Sequence, residues 1–308
     1  MAEPDGHHDG PADQADPAAG QPVPDLMRFT EQLVPGLTRY TTYLMRRAYT
    51  YVSSKSDRAT VARDYAVLAA LAAGHVDSQL ALAERLEINR TIMVKLIDRL
   101  QAEGAVTRTR NPQNRRSYLL RLTDAGRAAL VAMEPAMRER DRTITAGLTD
   151  RERERFNELL RTLLGQPEKT PETVSTEHLV TQVFFMLRRR GDACVADAGL
   201  RIRHYAALFV IDTLGPCPQQ LFARGLGLGE PAAALSVDEL VDKGLVERGQ
   251  DPDDRRRYAL ELTPLGREQL KVLMEAMEEM EADVVRTLGG PAREAELHGL
   301  IRGMLAMH

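Results

Sequence analysis

A mainly α-helical fold built twice over, with one small β-hairpin in each copy, is what this 308-residue sequence predicts. Three observations lead there. Apolar residues recur at steps of three and four through most of the chain, the period of amphipathic helices. That period gives way twice to short segments flanking a polar, Pro-containing turn, the pattern of a hairpin. The chain also repeats itself: shifted by 140, residues 65–127 match residues 205–267 at 20 of 63 positions without a gap, which chance does not produce.

The elements follow in order. Met1 to Asp25 carries Glu3, Asp5, Asp9, Asp13, Asp16 and Asp25, no Lys or Arg, and almost no apolar bulk. Such a segment cannot offset its ordering entropy, so residues 1–27 are expected to form a disordered acidic tail. His7 and His8 there are expected to be solvated. From about Phe29, the residues Leu33, Leu37, Tyr40, Leu44, Ala48 and Tyr51 form one apolar stripe and predict a first helix. Arg58 to Ala73 reads as a second helix and Ser78 to Leu86 as a short third. Asn89 reads as an N-cap for a helix from Arg90 to Glu103, ended by Gly104. Two strands, Ala105 to Arg110 and Arg116 to Thr123, flank Asn111-Pro112-Gln113-Asn114. Helices over 123–146 and 149–164 complete the copy, and Gly165 to Pro171 reads as a linker. The expected units are a first module over 28–164, the linker 165–171 and a second module over 172–308. The first helices align at a shift of 142, setting Met45-Arg46-Arg47 on Leu187-Arg188-Arg189.

Composition narrows the function. There are 41 basic and 45 acidic residues, for a net charge of −4, so any nucleic-acid footprint is local. Aromatics are scarce and Trp is absent, which calls for aliphatic cores. Two cysteines exclude a disulfide scaffold and a Cys-based zinc cluster. Cys194 aligns with Val52 and is expected to be a small core hydrophobe; Cys217 lies between two prolines in a loop. Neither suits a redox sensor. No apolar run spans a bilayer and no signal-peptide pattern opens the chain; a cytoplasmic protein without a membrane contact is expected. No phosphate loop, nucleophile elbow, metal-spaced His cluster or paired-carboxylate signature appears, so neither an enzyme nor a cofactor nor a metal is expected.

A helix-turn-helix followed by a two-stranded wing is a winged helix. The runs Leu86-Glu87-Ile88-Asn89-Arg90-Thr91, Leu96-Ile97-Asp98-Arg99-Leu100-Gln101-Ala102-Glu103-Gly104 and Arg115-Arg116-Ser117-Tyr118-Leu119-Leu120-Arg121-Leu122-Thr123-Asp124-Ala125-Gly126-Arg127 resemble the MarR family of bacterial transcription regulators. The resemblance covers nearly everything after the tail, in two copies. It implies homodimers whose N- and C-terminal helices pair, binding to palindromic operators, usual repression, and release of DNA when a small ligand is sensed. Here the two protomers are fused. Seven linker residues reach at most about 24 Å and join a last helix to a first, which fits an intrachain pseudo-dimer of two tandem winged helix-turn-helix modules. The expectation is therefore a transcriptional regulator, a repressor relieved by a small-molecule effector. It would bind double-stranded DNA at a pseudo-palindromic operator, as a monomeric pseudo-dimer or a dimer of chains. The alternative is a small-molecule-binding or sequestering protein on the same fold, with DNA binding reduced or lost.

Reading DNA takes cations for phosphates and side chains that reach base edges from a helix in the major groove. In the first module, Met93, Leu96, Ile97 and Leu100 are expected to be buried, leaving Arg90, Thr91, Val94, Lys95 and Arg99 outward. The wing adds Arg110, Arg115 and Arg116. The second module departs: Arg90 becomes Glu230, Thr91 becomes Pro231, Lys95 becomes Leu235, Leu96 becomes Ser236 and Arg99 becomes Glu239. Residues 78–127 hold ten basic and five acidic residues; residues 218–267 hold seven and nine. The second wing keeps Arg255, Arg256 and Arg257. The expectation is one intact reader and one degraded one, with unusual base recognition by the second module as the alternative. The resemblance places ligand clefts between the dimerisation helices and the winged helix. Tyr43, Arg46, Arg47 and Tyr65, and Arg189, His204 and Tyr205, are the candidates there, since Arg and Tyr suit an anionic aromatic ligand.

Overall fold

The computed structural model describes residues 34–55, 59–72, 78–86, 88, 90–110, 118–166, 175–250 and 258–306. A 3-10 turn, Pro35–Arg39, opens the described chain. The first copy then runs α1 (Thr41–Ser54), α2 (Ala59–Ala72), α3 (Gln79–Leu86), α4 (Arg90–Ala102), β1 (Val106–Arg110), β2 (Tyr118–Leu122), α5 (Asp124–Ile144) and α6 (Asp150–Leu163). The second runs α7 (Thr176–Cys194), α8 (Arg203–Leu214), α9 (Gln219–Leu226), α10 (Glu230–Asp242), β3 (Val246–Gln250), β4 (Tyr258–Leu262), α11 (Pro264–Leu288) and α12 (Pro291–Leu305). The fold is mainly α with two small wings, as expected. From α3 to β2 the copies coincide element for element at the shift of 140. Both hairpins are antiparallel in the same register, Val106 opposite Leu122 and Val246 opposite Leu262.

The repeated Leu-Thr-x-x-Gly segment has a mechanical reason. The Thr123 hydroxyl accepts from the Gly126 N–H at 3.0 Å, capping α5, and lies 2.7 Å from the Gly104 carbonyl, to which it donates. Thr263 repeats both contacts with Gly266 and Gly244. One hydroxyl thus caps a helix and ties its start to the turn that ends the recognition helix. A Cβ on Gly126 would sit 2.1 Å from the Ala105 carbonyl oxygen, so no larger residue fits.

Two expectations change. The single helix expected from about Phe29 is broken at Tyr40, which is extended (φ −97°, ψ 126°) between the 3-10 turn and α1. Pro35 starts that turn, and the turn lets the stripe bend around the second module: Leu37, Tyr40, Leu44, Ala48 and Tyr51 are all buried. Cys194, expected in the core, is exposed at the end of α7, whereas Cys217 is buried and its backbone bridges to Leu260. The misplacement has one cause. The first helices do not superpose at a shift of 142: Arg47 is buried, but Arg189 is exposed. They superpose from their starts, with Thr41 equivalent to Thr176. Leu44, Met45, Arg47, Ala48 and Val52 then match Leu179, Val180, Gln182, Val183 and Leu187, all buried. The tail, the first wing's turn and most of the linker lie outside the described residues.

The first and last helices of both copies make one hub. α1 packs on α7 and α12, and α6 packs on α7, α11 and α12. Two cross-module ion pairs are bidentate, Arg140 to Glu177 (2.6 and 3.1 Å) and Arg155 to Glu296 (2.9 and 2.8 Å). This is the intrachain pseudo-dimer. The hub and the second winged helix share one hydrophobic core. The first winged helix has its own core, built on Leu68, Leu82, Met93, Ile97 and Leu120. The difference follows from the opening segment, which lays Val34, Leu37 and Tyr40 against the second module. There Gly36 approaches Phe209 so closely that a Cβ would lie 2.7 Å from the ring.

Candidate nucleic-acid interface and effector cleft

The reading helix of the first module is α4. Its Met93, Leu96, Ile97 and Leu100 are buried at helical spacing, and burying that face turns Arg90, Thr91, Val94 and Lys95 outward. Val94 is 44% exposed, enough to touch a thymine methyl in a groove. Arg110 is exposed at the end of β1. Arg115, Arg116, Arg255, Arg256 and Arg257 lie outside the described residues.

Two ties hold α4 at its angle. The Arg108 guanidinium on β1 reaches Asp98 of α4 at 2.5 Å and donates to Gln79 of α3 at 3.3 Å, coupling wing, recognition helix and turn. Arg248 and Asp238 repeat the wing-to-helix pair in the second module. The other tie runs to the helix behind. Arg99 donates through both terminal nitrogens to Asp64 of α2, and through one of them to Glu103 at 3.3 Å. These hydrogen bonds, Asp64 first, hold the Arg99 guanidinium above its usual range. At the equivalent positions the polarity is reversed. His204 Nε2 lies 2.9 Å from Glu239 Oε1, and Arg203 joins the same oxygen at 2.7 Å. His204 is buried, and burial pulls its imidazole below the usual range, partly countered by Glu239. Glu239 is thus occupied within its module, whereas Glu230 is exposed at the start of α10. Asp98 and Arg108 are identical in both copies, and the Asp64–Arg99 pair changes at both positions together. Those are the sequence signals for these ties.

In the second module α10 starts at Glu230 with Gly229 as N-cap and Pro231 in its first turn, where a missing N–H costs nothing. Leu235 stands where Lys95 does and is 62% exposed, an apolar side chain on the face that would meet DNA. Ser236 is half-buried.

The seven candidate cleft residues divide. Tyr43 and Arg47 are 3% and 4% exposed on one face of α1, and the Arg46 guanidinium lies 5.2 Å from the Tyr43 ring centre. Arg46 also donates to the Leu226 carbonyl of α9 at 3.2 Å, so this group faces the second module. Tyr205, on the second module, is buried with its ring edge-on to Tyr40 at 5.5 Å. The other three are elsewhere. Tyr65 belongs to the first winged-helix core, its hydroxyl pushed up to about 12 by burial and by Glu134. His204 is on Glu239, and Arg189 is exposed. Among the described residues one group has metal-ligand chemistry, Glu281, Glu294 and His298. Glu281 is already engaged there as an acceptor for Thr41, whose hydroxyl also meets His298 Nε2 at 2.8 Å. No helix among the described residues is long and apolar enough to cross a membrane.

A recognition helix braced from behind, a wing tied to it, and a helical hub joining two such units define a tandem winged helix-turn-helix protein. The MarR family model matches residues 71–118 and 200–258, one match in each module. A Thauera aromatica protein named as a transcriptional regulatory protein for the hcr operon is 34% identical over 110 residues, 36% of this chain. The aligned stretch spans 66% of that relative's own length. Among solved structures, CouR of Rhodococcus jostii RHA1 bound to p-coumaroyl-CoA is 24% identical, with a TM-score of 0.36, over 41% of this chain and 88% of its own. The S. aureus MepR–DNA complex is 18% identical, with a TM-score of 0.41, over 44% and 99%.

Proposed function

We propose that the protein is a MarR-type transcriptional regulator, a repressor that binds a pseudo-palindromic operator and releases it when a small-molecule effector enters the cleft beside α1. The observation that carries the reading is the outward face of α4. Arg90, Thr91, Val94 and Lys95 combine phosphate cations, a hydroxyl and an apolar contact on one helix side. The relative from Thauera aromatica, matched in sequence, supports it. The wing residues Arg110, Arg115 and Arg116 supply flanking or minor-groove charge. Arg99 contributes by fixing α4 on Asp64 as well as by its charge. Modules over 28–164 and 172–308, joined by 165–171, act as the two halves of a dimer within one chain, in the cytoplasm and without catalysis. The second module serves mainly as scaffold, with Arg255, Arg256 and Arg257 left for phosphates.

The test is a gel-shift assay with the DNA upstream of the chain's own gene. A retarded complex that is lost in Arg90→Ala/Lys95→Ala supports the reading. No complex with that DNA or with random duplex at low salt favours the alternative, a small-molecule-binding protein on this fold.

A further inference from the structure

The outward faces of α4 and α10 are opposite in kind at equivalent positions. On α4, Arg90, Thr91, Val94 and Lys95 are exposed, and Met93, Leu96, Ile97 and Leu100 hold the helix down. Ala232, Ala233, Val237 and Leu240 hold α10 down in the same way. Its outward side carries Glu230, Pro231, Leu235 and Asp238, with Ala234 half-buried among them. A single exposed leucine needs no explanation in general. Leu235 differs by its place: it is 62% exposed on the side that a winged helix offers to its target, one turn from Pro231 and next to a carboxylate. A carboxylate and an apolar ridge offer a phosphate nothing.

That face suits a cationic surface with an apolar middle, and α4 is such a surface. Glu230 answers Arg90, and the Pro231–Leu235 ridge answers Val94 and the methylene stem of Lys95. Charge divides the same way over the whole reading unit: ten basic against five acidic residues over 78–127, seven against nine over 218–267. Opposite charges at facing positions steer two surfaces together and fix their register. The one like-charged pair of equivalent positions does not oppose this, because Asp98 is already on Arg108 and Asp238 on Arg248.

Both faces are exposed, so neither covers the other within one chain. A second chain supplies the missing half. The pairing of first and last helices relates the two modules by a pseudo-twofold. A second chain turned over about an axis perpendicular to that pseudo-twofold sets its α10 on α4 and its own α4 on α10. The contact is then made twice and the pair is closed. We infer that two chains dimerise face to face in this way, Arg90, Val94 and Lys95 of each against Glu230 and Leu235 of the other, and that the dimer covers both copies of α4. The outward side of α10 is thereby an interaction surface for a second copy of the chain. Dimerisation does not rest on the regulator reading. Its consequence does: DNA and a second chain compete for α4, so self-association holds the reading face shut until DNA displaces it.

The test is sedimentation velocity of the full-length chain without DNA, at low salt and over a series of concentrations. A reversible monomer–dimer equilibrium is expected, weakened by added salt. Arg90→Glu and Glu230→Arg should each loosen the dimer at least about tenfold, because each sets like charges face to face at both contacts. Both substitutions in one chain should bring the dimer back to within about threefold of the parent, since position 90 of one chain meets position 230 of the other. Leu235→Lys, which copies the α4 residue, should loosen it about tenfold. A parent that stays monomeric at about 100 μM, a dimer indifferent to all three single changes, a double variant no tighter than the singles, or oligomers that grow beyond the dimer would each overturn the inference. Random duplex DNA at low salt is then added to the parent. Dissociation of the dimer into single-chain complexes supports the competition, and DNA bound with the dimer intact would overturn it. Failure of the parent and of Glu230→Arg to bind any DNA would remove the regulator reading and leave the sedimentation result standing.

Discussion

Glu281 caps the first helix of the other module through Thr41. Its two carboxylate oxygens accept the Thr41 backbone N–H at 3.0 and 2.9 Å, and Oε1 accepts the Thr41 hydroxyl at 2.5 Å. Asp141 does the same in the opposite direction, taking the Thr176 N–H at 2.7 Å and its hydroxyl at 2.8 Å. Each long helix thus supplies the cap that the other module's first helix needs, and the pair of caps marks the pseudo-twofold axis.

The two caps differ in surroundings, which makes the junction pH-sensitive. Burial, and then contact with Glu294, pushes the Glu281 carboxyl up to about 8 from 4.5. A carboxyl raised in the folded state holds a proton that the unfolded chain has released. Its contribution is therefore full at acid pH and is lost as pH rises through the folded value. The buried His298 is shifted the other way, downward, so its opposing contribution is spent below its unfolded value of 6.5. Between pH 6.5 and 8, stability should fall by up to about 1.4 kcal/mol per unit, and Glu281→Gln should flatten that slope. Urea melts at several pH values measure it; identical slopes in the two proteins would contradict the account.

The brace behind the recognition helix predicts a charge-swap result. Arg99→Glu sets a second carboxylate against the buried Asp64 and should cost about 1–2 kcal/mol. Adding Asp64→His transplants the pair found at His204 and Glu239 and should recover most of the loss. A double-mutant cycle by thermal melting reads the coupling. Additive effects would show that the two positions do not act together.

Gly126→Ala tests the clamp between α5 and the turn after α4. The new methyl meets a backbone carbonyl at 2.1 Å, which no side-chain rotation relieves, so a loss of at least about 1–3 kcal/mol follows. The winged helix of the first module has its own core. The loss should therefore appear in its transition while the hub melts as before; an unchanged melt would refute the clamp.

Much of this architecture was legible in the residues. The duplication placed α3 through β2 twice in one register, because loop lengths and turn residues are shared. The buried face of α4 followed from spacing alone. The first helices were misaligned because α7 is five residues longer than α1, and a gapless shift cannot absorb an insertion. Arg189 and Cys194 were misread for that reason. The reciprocal caps were not legible, since they join residues far apart in sequence through geometry that only packing supplies, and the one sequence trace of the Arg99 brace is the joint change of Asp64 and Arg99 to His204 and Glu239 between the copies. The burial of Arg47 was hidden for a similar reason: a charged residue on an amphipathic helix reads as surface until the other module covers it.

The central claim is that one chain carries a reading module and a degraded copy of it, and the salt dependence of operator binding tests it most directly. Each phosphate contact contributes about 0.9 to the slope of log K against log salt. Arg90→Ala/Lys95→Ala should lower the slope by about 1.8 and clear one half-site in a footprint. Glu230→Ala/Leu235→Ala, at the equivalent positions of the second module, should leave slope and affinity intact or improve them. Equal losses from the two pairs, with a symmetric footprint from a single bound chain, would show that both modules read DNA and would contradict the account.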